Sequence, residues 1–129
     1  MKHSLFFCIA IFAFLSMVSC QTPTSSEGRV VDLLVPEAFM EAYEEESTAL
    51  LIDCRTPAEV SRGTIEGAMN LDFRSPTFLA DAEKLDKSQP VYVYCQAGGR
   101  SAAAAEELKT LGFKEVHDMK GGYGAFIKK

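Results

Sequence analysis

The chain has 129 residues, the size of one ordinary domain, and 47% hydrophobic with 24% charged residues describe a globular rather than a disordered polypeptide. Thirteen Lys and Arg against eighteen Asp and Glu leave a formal charge of -5, which provides no broad basic surface and excludes the usual electrostatic footprint of a nucleic-acid binder. The four cysteines stand at 8, 20, 54 and 95, without the close spacing of a zinc site, so no metal and no cofactor is expected.

At the N-terminus, Lys2 and His3 precede an unbroken apolar or small run from Leu5 to Val18, followed by Ser19 and Cys20. The run is shorter than the about 20 residues of a membrane span, and its charged start and small end are the pattern of a secretory signal peptide over residues 1–19. Met17-Val18-Ser19-Cys20 is similar to a bacterial lipobox, which implies cleavage before Cys20 and lipidation of its sulfur, with Met17 standing where Leu is more usual. Residues 20–28 then comprise the lipidated Cys20 and a tether, Gln21 to Gly28, reaching at most roughly 26 Å. The expected location is a bacterial cell envelope, with the membrane engaged through the lipid anchor only. Cys54 and Cys95 remain as free thiols in a compartment that tends to oxidise them.

Residues 29–129 read as one domain. Val30 to Val35 has the character of a strand, and Pro36 opens a helix with Phe39, Met40 and Tyr43 on one face. Ala49 to Cys54 is a continuous apolar stretch, as in a strand covered on both faces. Thr56-Pro57-Ala58-Glu59 forms a capping box for a short helix that Gly63 ends. Ala68 to Leu71 is a brief strand. Ser75 and Pro76 open a helix with Phe78, Leu79, Ala82 and Leu85 on one side. Val91 to Cys95 is the strongest strand, β-branched and aromatic. A glycine-bearing loop leads to a helix from about Arg100 that Gly112 stops, and Glu115 to Met119 gives a last strand before a turn at Gly121 and Gly122. Alternation of strand and helix at this spacing predicts an α/β fold with a mainly parallel sheet.

The segment Cys95-Gln96-Ala97-Gly98-Gly99-Arg100-Ser101 places a cysteine at the C-terminal end of a strand, ahead of glycines that bring backbone close and of a helix start. Backbone N–H groups, the helix dipole and Arg100 would together favour a thiolate at Cys95. No histidine is required for that. Cys54 is expected to pack in its strand, with a resolving thiol as the alternative, and alternation gives Asp53 and Cys54 opposite faces. His117 is expected at the surface or an edge, without a partner nearby in sequence.

CQAGGRS resembles the active-site loop of rhodanese-type sulfurtransferases: a Cys, four intervening residues, then Arg and a hydroxyl or small residue. A second block resembles the family's signature through Asp53, Arg55, Glu59, Gly63, Ile65, Gly67, Ala68 and Asn70, and LGFKEVHDMKGGYGAF resembles its closing block. Thr64, Glu66 and Phe126 stand where His, Pro and Trp are usual. The resemblance implies a single rhodanese-like domain, a five-stranded mainly parallel sheet with helices on both faces; a monomer is expected. It also implies that Cys95 takes sulfur from a small-molecule donor such as thiosulfate, holds it as a persulfide, and passes it to a thiol or protein acceptor. The loop from Gln96 to Ser101 would bind the anionic sulfur. Asp53, Arg55 and Glu59 would support it, with Arg100 either contacting substrate or pairing with Glu59 or Asp53.

Two rivals stand beside this. Cysteine-based phosphatases place five residues between Cys and Arg, whereas Gln96 to Gly99 are four. A low-turnover module that docks to an envelope partner or carries persulfide is the other, and the presence of Cys95 argues for chemistry.

Overall fold

The computed structural model describes residues 31–128. The expected signal peptide, Cys20 and the expected tether lie outside the described residues. The chain alternates β1 (Asp32–Leu34), α1 (Pro36–Glu45), β2 (Leu50–Asp53), α2 (Pro57–Val60), β3 (Met69–Asn70), α3 (Phe78–Glu83), β4 (Val91–Tyr94), α4 (Gly99–Thr110), β5 (Val116–Met119) and α5 (Gly122–Phe126). The five strands form one sheet in the order β1-β5-β4-β2-β3, and every pairing is parallel. The two edge strands, β1 and β3, are the shortest of the five, which limits the unpaired backbone they present.

Strand alternation divides the core in two. Ile52, Val91, Val93 and Val116 face α3 and α4, where Phe78, Ala82, Ala104, Ala105 and Leu108 meet them. Leu51, Tyr92, Tyr94 and Met119 face the other way, onto Phe39 of α1 and Tyr123 and Phe126 of α5. Phe39 is fully buried edge-on to Tyr92, with ring centroids 5.2 Å apart, and burial of one such side chain contributes about 1.5–3 kcal/mol.

Local signals explain the helix ends. Pro36 occupies the first turn of α1, and Thr56 and Glu59 exchange both bonds of the capping box at α2. Gly112, at φ 97°, follows the end of α4.

Three expectations are corrected. Leu79 does not join Phe78 and Ala82 but is 48% exposed, because it lies about 100° round α3 from Phe78, off the face that Phe78 and Ala82 bury. His117 is buried, not peripheral. Its strand lies between β1 and β4, its ring stacks on Tyr92 at 4.5 Å, and Nε2 is 3.1 Å from Glu115 Oε1. Finally, Gly121 and Gly122 do more than turn, since Gly122 begins α5.

α5 fixes the chain leaving β4. The Tyr123 N–H donates to the Cys95 carbonyl at 2.7 Å and the Gly124 N–H to the Gln96 carbonyl at 2.9 Å. Gly122, at φ 60°, lies so close beneath them that a Cβ would collide with the Cys95 carbonyl oxygen. Gly122→Ala therefore meets both a left-handed backbone penalty and a backbone clash, and is expected to lower unfolding free energy by at least about 2 kcal/mol in a urea titration.

Candidate active site

β4 delivers Cys95 to the C-terminal edge of the sheet, and residues 96–98 turn the chain into α4. Its side chain follows Val91 and Val93 onto the α4 face, and the residue is 1% exposed. Gly98 makes the turn with a φ of 106°, backbone that glycine adopts freely and other residues do not. The loop thereby closes over the sulfur, and the Gly98 N–H donates to Cys95 Sγ at 3.1 Å. Ser101, in the first turn of α4, donates its hydroxyl to the Gly98 carbonyl at 3.2 Å, and its side chain and N–H add to the stabilisation of the sulfur anion. Together with a hydrogen bond from the Cys54 thiol, these donors outweigh burial and hold the Cys95 thiol well below the usual thiol range. This arrangement favours the thiolate form of Cys95 without a histidine.

The loop residues divide their work. Ala97 and Gly99 are its exposed crown. Gln96 is engaged away from the sulfur: its carbonyl accepts from Gly124, and its side-chain oxygen accepts from Arg55 Nη1 at 3.2 Å. Arg100 turns outward to Glu59 in a two-pronged pair, both N–H···O distances 2.7 Å, and of the roles left open in the sequence this is the one the geometry displays. The same Glu59 carboxylate accepts from the Thr56 N–H at 3.0 Å, so the capping box of α2 is clamped to the first turn of α4. Arg100 holds the Glu59 carboxyl far below the usual carboxylate range.

On the opposite face, Asp53 and Arg55 form a buried ion pair of 2.6 Å. Burial disfavours the Asp53 charge, but hydrogen bonds from Arg55 and Thr64 prevail and its carboxyl titrates below the usual value. Arg55 also donates to the Gly63 carbonyl at 2.7 Å and lies over the Tyr123 ring, 4.1 Å from its centroid. Thr64, standing where the family usually has His, is part of this network: its hydroxyl bonds Asp53 at 2.9 Å and Tyr94 at 2.8 Å. Asn70 ties the backbone, donating to the carbonyls of Asp53 and Arg55. Asp53, Arg55 and Glu59 thus hold segments together and do not touch the sulfur.

Cys54 extends β2 by one residue. Its N–H donates to the Tyr94 carbonyl at 2.9 Å, which sets it beside Cys95 in the register that pairs Asp53 with Tyr94. Cys54 shares the Ile52 face, so both thiols enter the same core, and both are free. The hydrogen bond to Cys95, with burial, pushes the Cys54 thiol far above the usual range.

Asp118 escaped the sequence reading. It is 2% exposed in β5 on the face of Val116, next to Ser101, and its carboxyl is raised to about 6 by burial, with the Cys95 charge adding to the shift. The available signal was period-two alternation: an acidic residue two positions from Val116 in a central strand is an inward carboxyl. Beside the loop, a cleft of about 380 Å³ is lined by Arg55, Glu59, Arg62, Gln96, Tyr123 and Ile127.

Fold and cradle together define an α/β domain whose cysteine loop is built to hold an anionic sulfur. The rhodanese-like domain model matches residues 35–129, and the chain belongs to that family. It is 37% identical over 97 residues to the uncharacterized protein YqhL of Bacillus subtilis, covering 75% of this chain and 73% of that one. It is also 37% identical over 87 residues to the chloroplastic thiosulfate sulfurtransferase 16 of Arabidopsis thaliana, covering 60% and 72%. Among solved structures, a rhodanese-related protein of Thermoplasma volcanium superposes with a TM-score of 0.65 at 27% identity, covering 75% of this chain and 91% of that one.

Two outcomes follow from the buried charges. Asp53→Asn leaves the Arg55 guanidinium buried beside a neutral amide and is expected to lower unfolding free energy by about 3–5 kcal/mol in denaturant titration, more than an exposed ion pair would. Asp118 titrates at about 6 in the fold against 3.8 ordinarily, so the folded state binds this proton more tightly between those values. Its contribution to stability is therefore full below the lower value and is lost as pH rises through the higher one. Asp118→Asn should narrow the difference in Tm between pH 5 and pH 8.

Proposed function

We propose that the protein is a sulfurtransferase of rhodanese type in which Cys95 is the nucleophile. The observation that carries this is the Cys95 sulfur itself, buried at a strand end and accepting a hydrogen bond from the Gly98 N–H at the start of α4. The Cys95 thiolate attacks the outer sulfur of a donor such as thiosulfate, forming a Cys95–S–S⁻ persulfide while the S–S bond of the donor breaks and sulfite departs with its electron pair. The cradle that holds one anionic sulfur then holds the next. The persulfide gives its outer sulfur to a thiol or protein acceptor.

The charges at the mouth suit an anionic donor. Arg62 lines the cleft beside Gln96 and has no ion-pair partner among the described residues, whereas the charges of Arg55 and Arg100 are neutralised by Asp53 and Glu59. Relatives named as thiosulfate sulfurtransferases support the same donor class. The lipobox resemblance supports a protein held by Cys20 at a bacterial envelope membrane, and no helix among the described residues is long and apolar enough to cross one.

Intact mass early in thiosulfate treatment tests the chemistry: the chain is expected first to gain about 32 Da, one sulfur atom, and Cys95→Ser to gain nothing. Because the thiol titrates low, the loading rate should change less than about threefold between pH 8 and pH 6, where an unperturbed thiol would slow about 100-fold. No mass gain at any time without added thiol, together with no sulfide released, would instead favour a binding module.

A further inference from the structure

We propose that Cys54 is a resolving thiol, which attacks the Cys95 sulfur once that sulfur carries a transferred sulfur atom, closing a Cys54–Cys95 disulfide and releasing hydrosulfide. This step rests on the persulfide chemistry proposed above. It deepens that reading by naming the form in which the sulfur leaves, hydrosulfide, and the co-reactant class, a dithiol reductant that reopens the disulfide.

The placement of the two residues carries the inference. They are register neighbours on adjacent parallel strands, fixed by the Cys54 N–H to Tyr94 carbonyl bond and by the ladder behind it. Adjacent strands stand about 4.7–4.9 Å apart, inside the Cα separation of about 4.4–6.8 Å that a disulfide spans. Both side chains lie on the α4 face of the sheet, Cys54 fully buried and Cys95 1% exposed. Cys54 reaches Cys95 from β2, whereas Gly98 and Ser101 reach it from the loop and α4. An outer sulfur held by the loop donors would stand across Cys95 Sγ from Cys54, the arrangement that displacement at sulfur uses.

Charge controls the timing. In the unloaded protein the Cys54 proton lies in the hydrogen bond to the Cys95 anion, so Cys54 is not a nucleophile. Loading moves the negative charge to the outer sulfur and weakens that hydrogen bond. Cys54 then gives up its proton, and the outer sulfur takes one up as it leaves. A bond forms between the Cys54 and Cys95 sulfurs, and the bond from Cys95 to the outer sulfur breaks. One thiol and one persulfide anion become one disulfide and one hydrosulfide anion, with two electrons passing from the cysteine pair to the transferred sulfur. No outside oxidant enters. A dithiol afterwards restores both cysteines by exchange.

The test uses the full chain treated with thiosulfate and no added thiol, followed by intact mass, peptide mapping and assay of released sulfide. Wild type is expected to end about 2 Da below its reduced mass, with Cys54 joined to Cys95 and about one equivalent of sulfide released. Cys54→Ser and Cys54→Ala should keep the gain of about 32 Da at least about tenfold longer and release no sulfide, since the neighbouring thiol is gone. Two substitutions are used because a hydroxyl and a void disturb the core differently, and circular dichroism checks that each folds. Wild type and both variants holding the added sulfur equally long would overturn the resolving role while leaving the sulfurtransferase reading intact. No added sulfur on either folded variant, with no sulfide from wild type, would remove the persulfide and this step with it.

Discussion

Two charges buried at the C-terminal edge of the sheet organise everything around the candidate site. Isolated, either Asp53 or Arg55 would lose several kcal/mol of hydration, and their attraction offsets this only because the remaining donors and acceptors also find partners. That requirement gathers four separate segments. Arg55 reaches the Gly63 carbonyl after α2, the Gln96 side chain in the cysteine loop and the Tyr123 ring in α5, while Thr64 completes the carboxylate. The pair is therefore a junction: it orders loops that are far apart in the chain and places the cysteine loop against a fixed wall.

The loop itself is held from three sides. Gln96 is tied to Arg55 and to α5, Arg100 to Glu59, and Gly98 closes on the sulfur. Glu59 neutralises Arg100, so the anion at Cys95 depends chiefly on short-range donors, the Cys54 thiol, Ser101 and Gly98, rather than on a nearby unpaired cation. Asp118 completes this arrangement from below. A second negative charge so near the sulfur is disfavoured, and burial already opposes it, which is why this carboxyl holds its proton into the range where most carboxylates have lost theirs. One group ionises and its neighbour resists, an outcome set by which of them the backbone donors face.

Much of this was legible in the sequence. Parallel-sheet strands buried on both faces read as continuous apolar runs, and β2 and β4 did; Thr56 to Glu59 announced the α2 cap; the glycines after Cys95 announced the loop. What the sequence did not convey depends on neighbours across the sheet. His117 looked solitary because its partners, Asp32, Glu115 and Tyr92, belong partly to other strands, and strand order is not written in local pattern. The short α3 misled for another reason: Ser75 and Pro76 form a turn that delays the helix to Phe78 and leaves Leu79 outside. Gly122 gave no sign of its role, since the Cys95 carbonyl that excludes a Cβ there lies far away in the chain.

Alternation at the end of β2 links the two halves of the site. Asp53 belongs to the α5 face and Cys54 to the α4 face, so two consecutive residues serve different structures: one the ion pair that orders the loops, the other the sulfur pair in the core. Arg55, just beyond the strand, bends back to Asp53 through both its N–H and its guanidinium. A slip of one residue in β2 would exchange these faces, bringing a carboxylate against the Cys95 anion and leaving the guanidinium without its partner. Both consequences are costly in a low-dielectric interior, so the charges at this edge specify the register as well as benefiting from it. The same register that secures the fold sets Cys54 beside Cys95. Wherever Asp53 and Arg55 hold β2 against β4, the second thiol stands next to the first.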